Sequence, residues 1–153
     1  MRIPFLRASG VDKVAELIPK FITLLEQEKK MPIHGDGSNI RAFLFATDAA
    51  EALDIIFHRG TEGETYNISS TTQLKVWEVA EKIMKLRSEP HSPNDLNNCT
   101  ELVKDRPFND SMYWTSGYKL QALGWEQRTN FDDGLRATYQ WYCTESESFW
   151  SEE

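Results

Sequence analysis

Apolar residues recur at Val14, Leu17, Ile18, Phe21, Ile22 and Leu25, the three-and-four spacing of one helix face. Pro19 is unsuited to a helix interior, so the spacing predicts a helix that begins near Ile18 with Pro19 in its first turn. Residues 1–13 carry no period and read as an irregular lead-in. Met31 to Gly37 reads as a short strand entering a turn, since Gly35 and Gly37 admit positive φ. Ala42-Phe43-Leu44-Phe45 reads as a second extended segment. Asp48 followed by Glu51 is a capping-box pattern, which predicts a helix from Ala49 to about His58, stopped by Gly60.

Thr65-Tyr66-Asn67-Ile68 has the β-branched and aromatic content of a strand. A helix follows it, with Val76, Val79, Ala80 and Ile83 inward and Glu78, Glu81, Lys82 and Lys85 on a solvated face. Residues 87–100 are polar, contain two prolines and read as a loop. Glu101 to Lys104 reads as a short strand leading into Asp105-Arg106-Pro107-Phe108-Asn109-Asp110. A short helix is expected over Tyr118–Leu123, ending at Gly124. Asn130 and Asp133 can cap a last helix that buries Phe131, Leu135, Tyr139 and Tyr142. The order is mixed α and β. It divides into the lead-in, one domain over residues 14–142, and an acidic, mobile tail over residues 143–153.

Composition narrows the function classes. The chain has 153 residues, a length that fits one domain. Its 17 basic and 24 acidic residues give a net charge of −7, the wrong sign for wrapping nucleic acid. No run of about 18 apolar residues exists to span a membrane, and the first residues lack the apolar core of a secretory signal. A cytoplasmic protein with neither nucleic acid nor membrane as partner is expected. Cys99 and Cys143 are too few for a disulfide framework. His34, His58 and His91 lack the spacing of metal ligands, so no metal is expected. The 153 residues contain no Gly-x-Gly-x-x-Gly and no P-loop. None of the five tyrosines is followed four positions later by lysine.

Two segments carry candidate chemistry. In His34-Gly35-Asp36-Gly37-Ser38-Asn39-Ile40-Arg41, a glycine turn joins an aromatic ring to an arginine. Such a turn can set a nucleotide base against His34 and a phosphate against Arg41, whose planar fork donates two parallel hydrogen bonds. In Asp105-Arg106-Pro107-Phe108-Asn109-Asp110, Pro107 stiffens the chain after Arg106, and Asn109 offers both a donor and an acceptor. Taken singly, the first is better explained as a surface hairpin with a solvated arginine, and the second as a turn with an Asp–Arg surface pair.

Taken in order, these segments resemble the nucleotide-sugar 4,6-dehydratases. Leu17-Ile18-Pro19-Lys20-Phe21, Pro32 to Arg41, Gly63-Glu64-Thr65-Tyr66-Asn67-Ile68, Asp105 to Asp110, Leu123-Gly124-Trp125, and Gly134-Leu135 with Tyr139-Gln140-Trp141-Tyr142 follow the family's series. The chain is similar to the C-terminal half of the dTDP-glucose/UDP-glucose 4,6-dehydratase branch of the extended short-chain dehydrogenase/reductases. The resemblance implies an α/β substrate-binding portion without the Rossmann half. In the family that half binds NAD and supplies the Tyr-x-x-x-Lys pair, so no catalytic or cofactor-binding residue is expected here. NAD belongs to the intact family enzyme, and this chain alone is expected to bind none.

Carried over by position, Arg41 and Arg106 neutralise the diphosphate, Pro32 and His34 pack near the base, and Asn109 contacts the ribose or diphosphate. The implied partner is a UDP- or dTDP-glucose-type nucleotide sugar, together with a missing Rossmann half or a homodimer partner. The implied function is the nucleotide-sugar-binding part of a lyase that makes 4-keto-6-deoxy sugar nucleotides in a rhamnose-type pathway, inactive as an isolated chain. A non-catalytic nucleotide-sugar-binding or interaction module is the alternative. Departures from the family pattern are that Arg7 to Glu16 stand where the family usually has Asn-x-Tyr-Gly-Pro and Pro-Glu-Lys before Leu-Ile-Pro, so that its lysine falls on Glu16, and that its Arg-Tyr falls on Met112-Tyr113.

Overall fold

A computed structural model describes residues 17–87, 93–105, 112 and 115–144. The elements run α1 (Leu17–Glu26), β1 (Met31–His34), β2 (Ile40–Ala42), α2 (Ala46–Arg59), β3 (Gln73–Lys75), α3 (Val76–Arg87), α4 (Pro93–Cys99), β4 (Thr100–Val103), α5 (Tyr118–Ala122) and α6 (Phe131–Thr144). The apolar stripe of α1 places Ile18, Phe21, Ile22 and Leu25 in the core. There they meet Met31 and Ile33 of β1, Val79, Ala80 and Ile83 of α3, and Leu135 of α6. Each large side chain fully buried there contributes about 1.5–3 kcal/mol. A smaller cluster joins Ala52 of α2, Leu120 of α5 and Trp125, with Leu44, Ile55, Ile56 and Ile68 packed around them.

The strands form two separate pairs. β1 lies parallel to β4, with Ile33 opposite Leu102 and His34 opposite Val103. β2 lies antiparallel to β3, with Arg41 opposite Leu74. Alternation along β1 buries Met31 and Ile33 and leaves Pro32 and His34 together on the other face.

Several expectations change. The second extended segment is Ile40–Ala42 rather than 42–45, because Phe45 is already the N-cap residue of α2. That cap makes no side-chain hydrogen bond, so Asp48 and Glu51 do not form a capping box. Residues 65–68 are not a strand, since no strand lies beside them among the described residues. Instead the Asn67 side-chain amide donates to the Ser116 carbonyl at 3.3 Å, and Ile68 packs into the smaller cluster. The polar 87–100 stretch contains helix α4. Pro93 opens it, at the helical position where a missing N–H costs nothing, and Leu96 and Cys99 pack against the core.

The last helix is capped as expected, with the Asn130 side-chain oxygen accepting from the Asp133 amide at 2.9 Å. It runs to Thr144, past the expected boundary at Tyr142. The 1–13 lead-in and residues 145–153 of the tail lie outside the described residues.

Candidate functional site

Because β1 and β4 are parallel, their C-terminal ends lie side by side. The Gly35 amide donates to the Val103 carbonyl at 3.0 Å and carries the ladder one step beyond the strand. His34 Nδ1 stands 3.3 Å from the Lys104 carbonyl. A carbonyl only accepts, so in this contact Nδ1 carries the hydrogen. A Cβ on Gly35 would lie 3.1 Å from a carboxylate oxygen of Asp105. The start of the second chemical segment therefore sits against the turn of the first.

The turn itself is closely held. Gly35 and Gly37 have φ of 62° and 71°, a region open to glycine at little cost. The Gly37 amide donates to the His34 carbonyl at 3.2 Å. Asp36 accepts from the Ser38 hydroxyl at 2.6 Å and the Ser38 amide at 2.9 Å. These bonds hold the Asp36 carboxyl below the usual carboxylate range, the hydroxyl bond most of all. The chain then enters β2, where Arg41 is half-buried and donates through Nη1 to the Ile40 carbonyl at 2.8 Å. Ile40 also forms a parallel bridge to Met112.

Pro32 and His34 thus stand on β1 and Arg41 on β2, on either side of the 35–38 turn and in separate strand pairs. Arg106 and Asn109 lie outside the described residues. Their segment is bounded on one side by Asp105, against Gly35, and on the other by Met112, against Ile40. Sequence reasoning missed Trp77, which donates from Nε1 to the Asp36 carbonyl at 2.7 Å. A backbone carbonyl 41 positions away leaves no mark in a side-chain pattern.

A dinucleotide's pyrophosphate sits where a strand enters a helix through a glycine-rich turn; β1 runs through its turn into another strand, and β3 meets α3 at Lys75-Val76 with no glycine at the junction. Among the described residues there is no group of three or more His, Cys, Asp or Glu that could hold a metal ion. No described helix is long and apolar enough to cross a membrane.

A mixed α/β unit of this topology is part of the extended short-chain dehydrogenase/reductase fold. Residues 6–138 match the family described as GDP-mannose 4,6 dehydratase, and the chain belongs to that family. A trifunctional UDP-glucose 4,6-dehydratase/UDP-4-keto-6-deoxy-D-glucose 3,5-epimerase/UDP-4-keto-L-rhamnose-reductase of Arabidopsis thaliana is 41% identical over 137 residues, covering 90% of this chain and 20% of that protein. Human dTDP-D-glucose 4,6-dehydratase is 37% identical over 127 residues, covering 83% of this chain and 36% of that protein. DesIV, a dTDP-glucose 4,6-dehydratase from Streptomyces venezuelae solved with NAD and TYD bound, matches with a TM-score of 0.79 at 28% identity. That match covers 88% of this chain and 40% of DesIV. The chain spans a fifth to two-fifths of the length of these relatives.

Proposed function

We propose that this chain is the nucleotide-sugar-binding portion of a dTDP-glucose or UDP-glucose 4,6-dehydratase. One observation carries the reading. Parallel pairing of β1 with β4 sets Asp105 against Gly35, and a bridge joins Met112 to Ile40. In this reading Arg41 and Arg106 share the diphosphate, the His34 ring and Pro32 line the base, and Asn109 bonds the ribose or a phosphate oxygen. Charge-assisted bonds from each guanidinium are worth about 1.5–3 kcal/mol. The chain binds and orients the nucleotide, while NAD and the proton-transferring groups belong to the rest of the intact enzyme.

Titration calorimetry with UDP-glucose and dTDP-glucose tests this. Saturable binding is expected, weakened about tenfold by Arg41→Ala and unchanged by Lys85→Ala. Lys85 is a suitable control because it pairs with Glu81 at 2.6 Å on an exposed helix face. Equal losses in the two variants would reduce the attraction to general charge. Added NAD should yield no 4-keto-6-deoxy product from the purified chain, and measurable turnover would overturn the division of labour.

A further inference from the structure

We propose that Trp77 is a positioning residue that fixes the 35–38 turn and, through it, the spacing between His34 and Arg41. The proposal rests on the nucleotide-sugar reading for its ligand, but its mechanical part stands on geometry alone. Left to itself the turn is a poor platform, because two of its four residues are glycines, which have the widest choice of backbone angles. Trp77 restrains it at two points. The indole N–H donates to the Asp36 carbonyl at 2.7 Å. The same ring edge covers Gly37 so closely that a Cβ there would stand 2.4 Å from Cδ1 and 2.5 Å from Nε1. Ile33 Cγ2 closes the other side, at 2.6 Å from that position.

The ring is itself held on a rigid base. Trp77 is the second residue of α3, whose inward face of Val79, Ala80 and Ile83 is fully buried. The start of α3 is tied down by the Val76 amide, which donates to the Asn39 carbonyl at 3.1 Å just past the turn. The Glu78 carboxylate accepts from the Lys75 amide at 2.6 Å. The core thus reaches the turn through this indole on one side and Ile33 on the other. A turn already in its binding conformation spares the ligand the cost of ordering it.

The test compares the chain with Trp77→Phe and Trp77→Leu. Phe keeps a ring against Gly37 and loses the donor, while Leu loses both. Two readouts are taken: hydrogen exchange at the Gly37 and Ser38 amides relative to the Val79 amide, and UDP affinity by calorimetry. Exchange at Gly37 and Ser38 should rise about threefold or more in Trp77→Phe and further in Trp77→Leu, with Val79 unchanged. UDP affinity should fall in the same order, by about tenfold in Trp77→Leu. Unchanged exchange at the turn, or a looser turn with undiminished affinity, overturns the proposal. If Trp77→Leu fails to fold, the Phe variant decides by the same two readouts. If the unmodified chain binds no UDP, the nucleotide reading falls, and exchange alone decides whether Trp77 fixes the turn.

Discussion

Asp48 and Thr129, 81 positions apart, are joined by two hydrogen bonds: one carboxylate oxygen accepts from the Thr129 amide and the other from its hydroxyl, both at 3.1 Å. Asp48 is only 3% exposed, and its own carbonyl accepts from Trp125 Nε1 at 3.0 Å. The first turn of α2 is thereby fastened to the strandless 125–130 connection that leads into α6. Gln127 extends the clasp, its side-chain oxygen accepting from the Thr71 amide at 2.9 Å.

This relationship reverses what the capping-box pattern implied. In a capping box, loss of Asp48 or of Glu51 would each cost about 1 kcal/mol. Here Asp48→Ala strands the Thr129 amide and should cost about 2 kcal/mol. Glu51 pairs with exposed Arg128 at 2.8 Å, so Glu51→Ala should cost less than about 0.5 kcal/mol. Urea unfolding of the two variants checks the order, and equal losses would restore the capping box.

The glycines permit a second comparison. Gly37 and Gly63 both have positive φ, 71° and 80°. A Cβ on Gly63 meets nothing within 4 Å, while one on Gly37 collides with Trp77 and Ile33. Gly63→Ala should therefore cost only the left-handed backbone penalty, about 1 kcal/mol. Gly37→Ala adds overpacking, for about 3 kcal/mol in all. Thermal unfolding of the two variants measures the difference. A Gly37→Ala chain as stable as Gly63→Ala would mean that the indole does not lie over the turn.

What was legible in the sequence follows from the range of the interactions. Helices α1, α3 and α6 were readable because their buried faces repeat along the chain at helical spacing, as Ile18, Phe21, Ile22 and Leu25 do. The strand at Met31–His34 and the turn after it were readable from the glycines. The 65–68 segment was misread because β-branched and aromatic residues mark a surface that wants a neighbour, and they cannot say whether one is present. α4 was missed because its few apolar contacts, Leu96 and Cys99, are too sparse to show a period. His34 and Arg41 stand out by type and order and Pro32 by the family resemblance, while the contact of His34 with the Lys104 carbonyl, 70 positions away, leaves no mark in the sequence. Asp48 and Trp77 act through backbone atoms of distant segments, which no side-chain pattern records.

Tyr139 offers a test by pH. Its hydroxyl donates to Glu26 at 2.6 Å and ties α6 to the end of α1. Burial first, then the bond to Glu26 and the nearness of Cys143, push the phenol well above its usual range. A group whose folded pKa is raised stabilises fully below its unfolded value, here about pH 10, and loses that contribution as pH climbs beyond it. Tyr139→Phe should cost about 1 kcal/mol at pH 7. The gap between the unmodified chain and the variant should narrow above about pH 10. Denaturant unfolding across pH 7 to 11 follows it, and a gap that widens at high pH would contradict the assigned cause.

The sharpest prediction concerns whether Arg41 and Arg106 act on one ligand. Arg41 extends from β2, and Arg106 directly follows Asp105, whose carboxylate lies against Gly35 of the same turn. If both guanidiniums hold one diphosphate, each single alanine variant should weaken UDP-glucose binding about tenfold or more. The double variant should not lose the product of the two, because the second arginine has less to hold once the phosphates are no longer fixed by the first. Arg41→Lys keeps the charge but not the fork, and should recover binding only in part. Raising the salt concentration should weaken the unmodified chain more than either single variant, since it carries more of the screened charge on the ligand. Calorimetry on the four chains, each first shown to be folded by circular dichroism, completes the cycle. Strictly multiplicative losses would mean that the two arginines bind independently, and that the shared-diphosphate assignment is wrong.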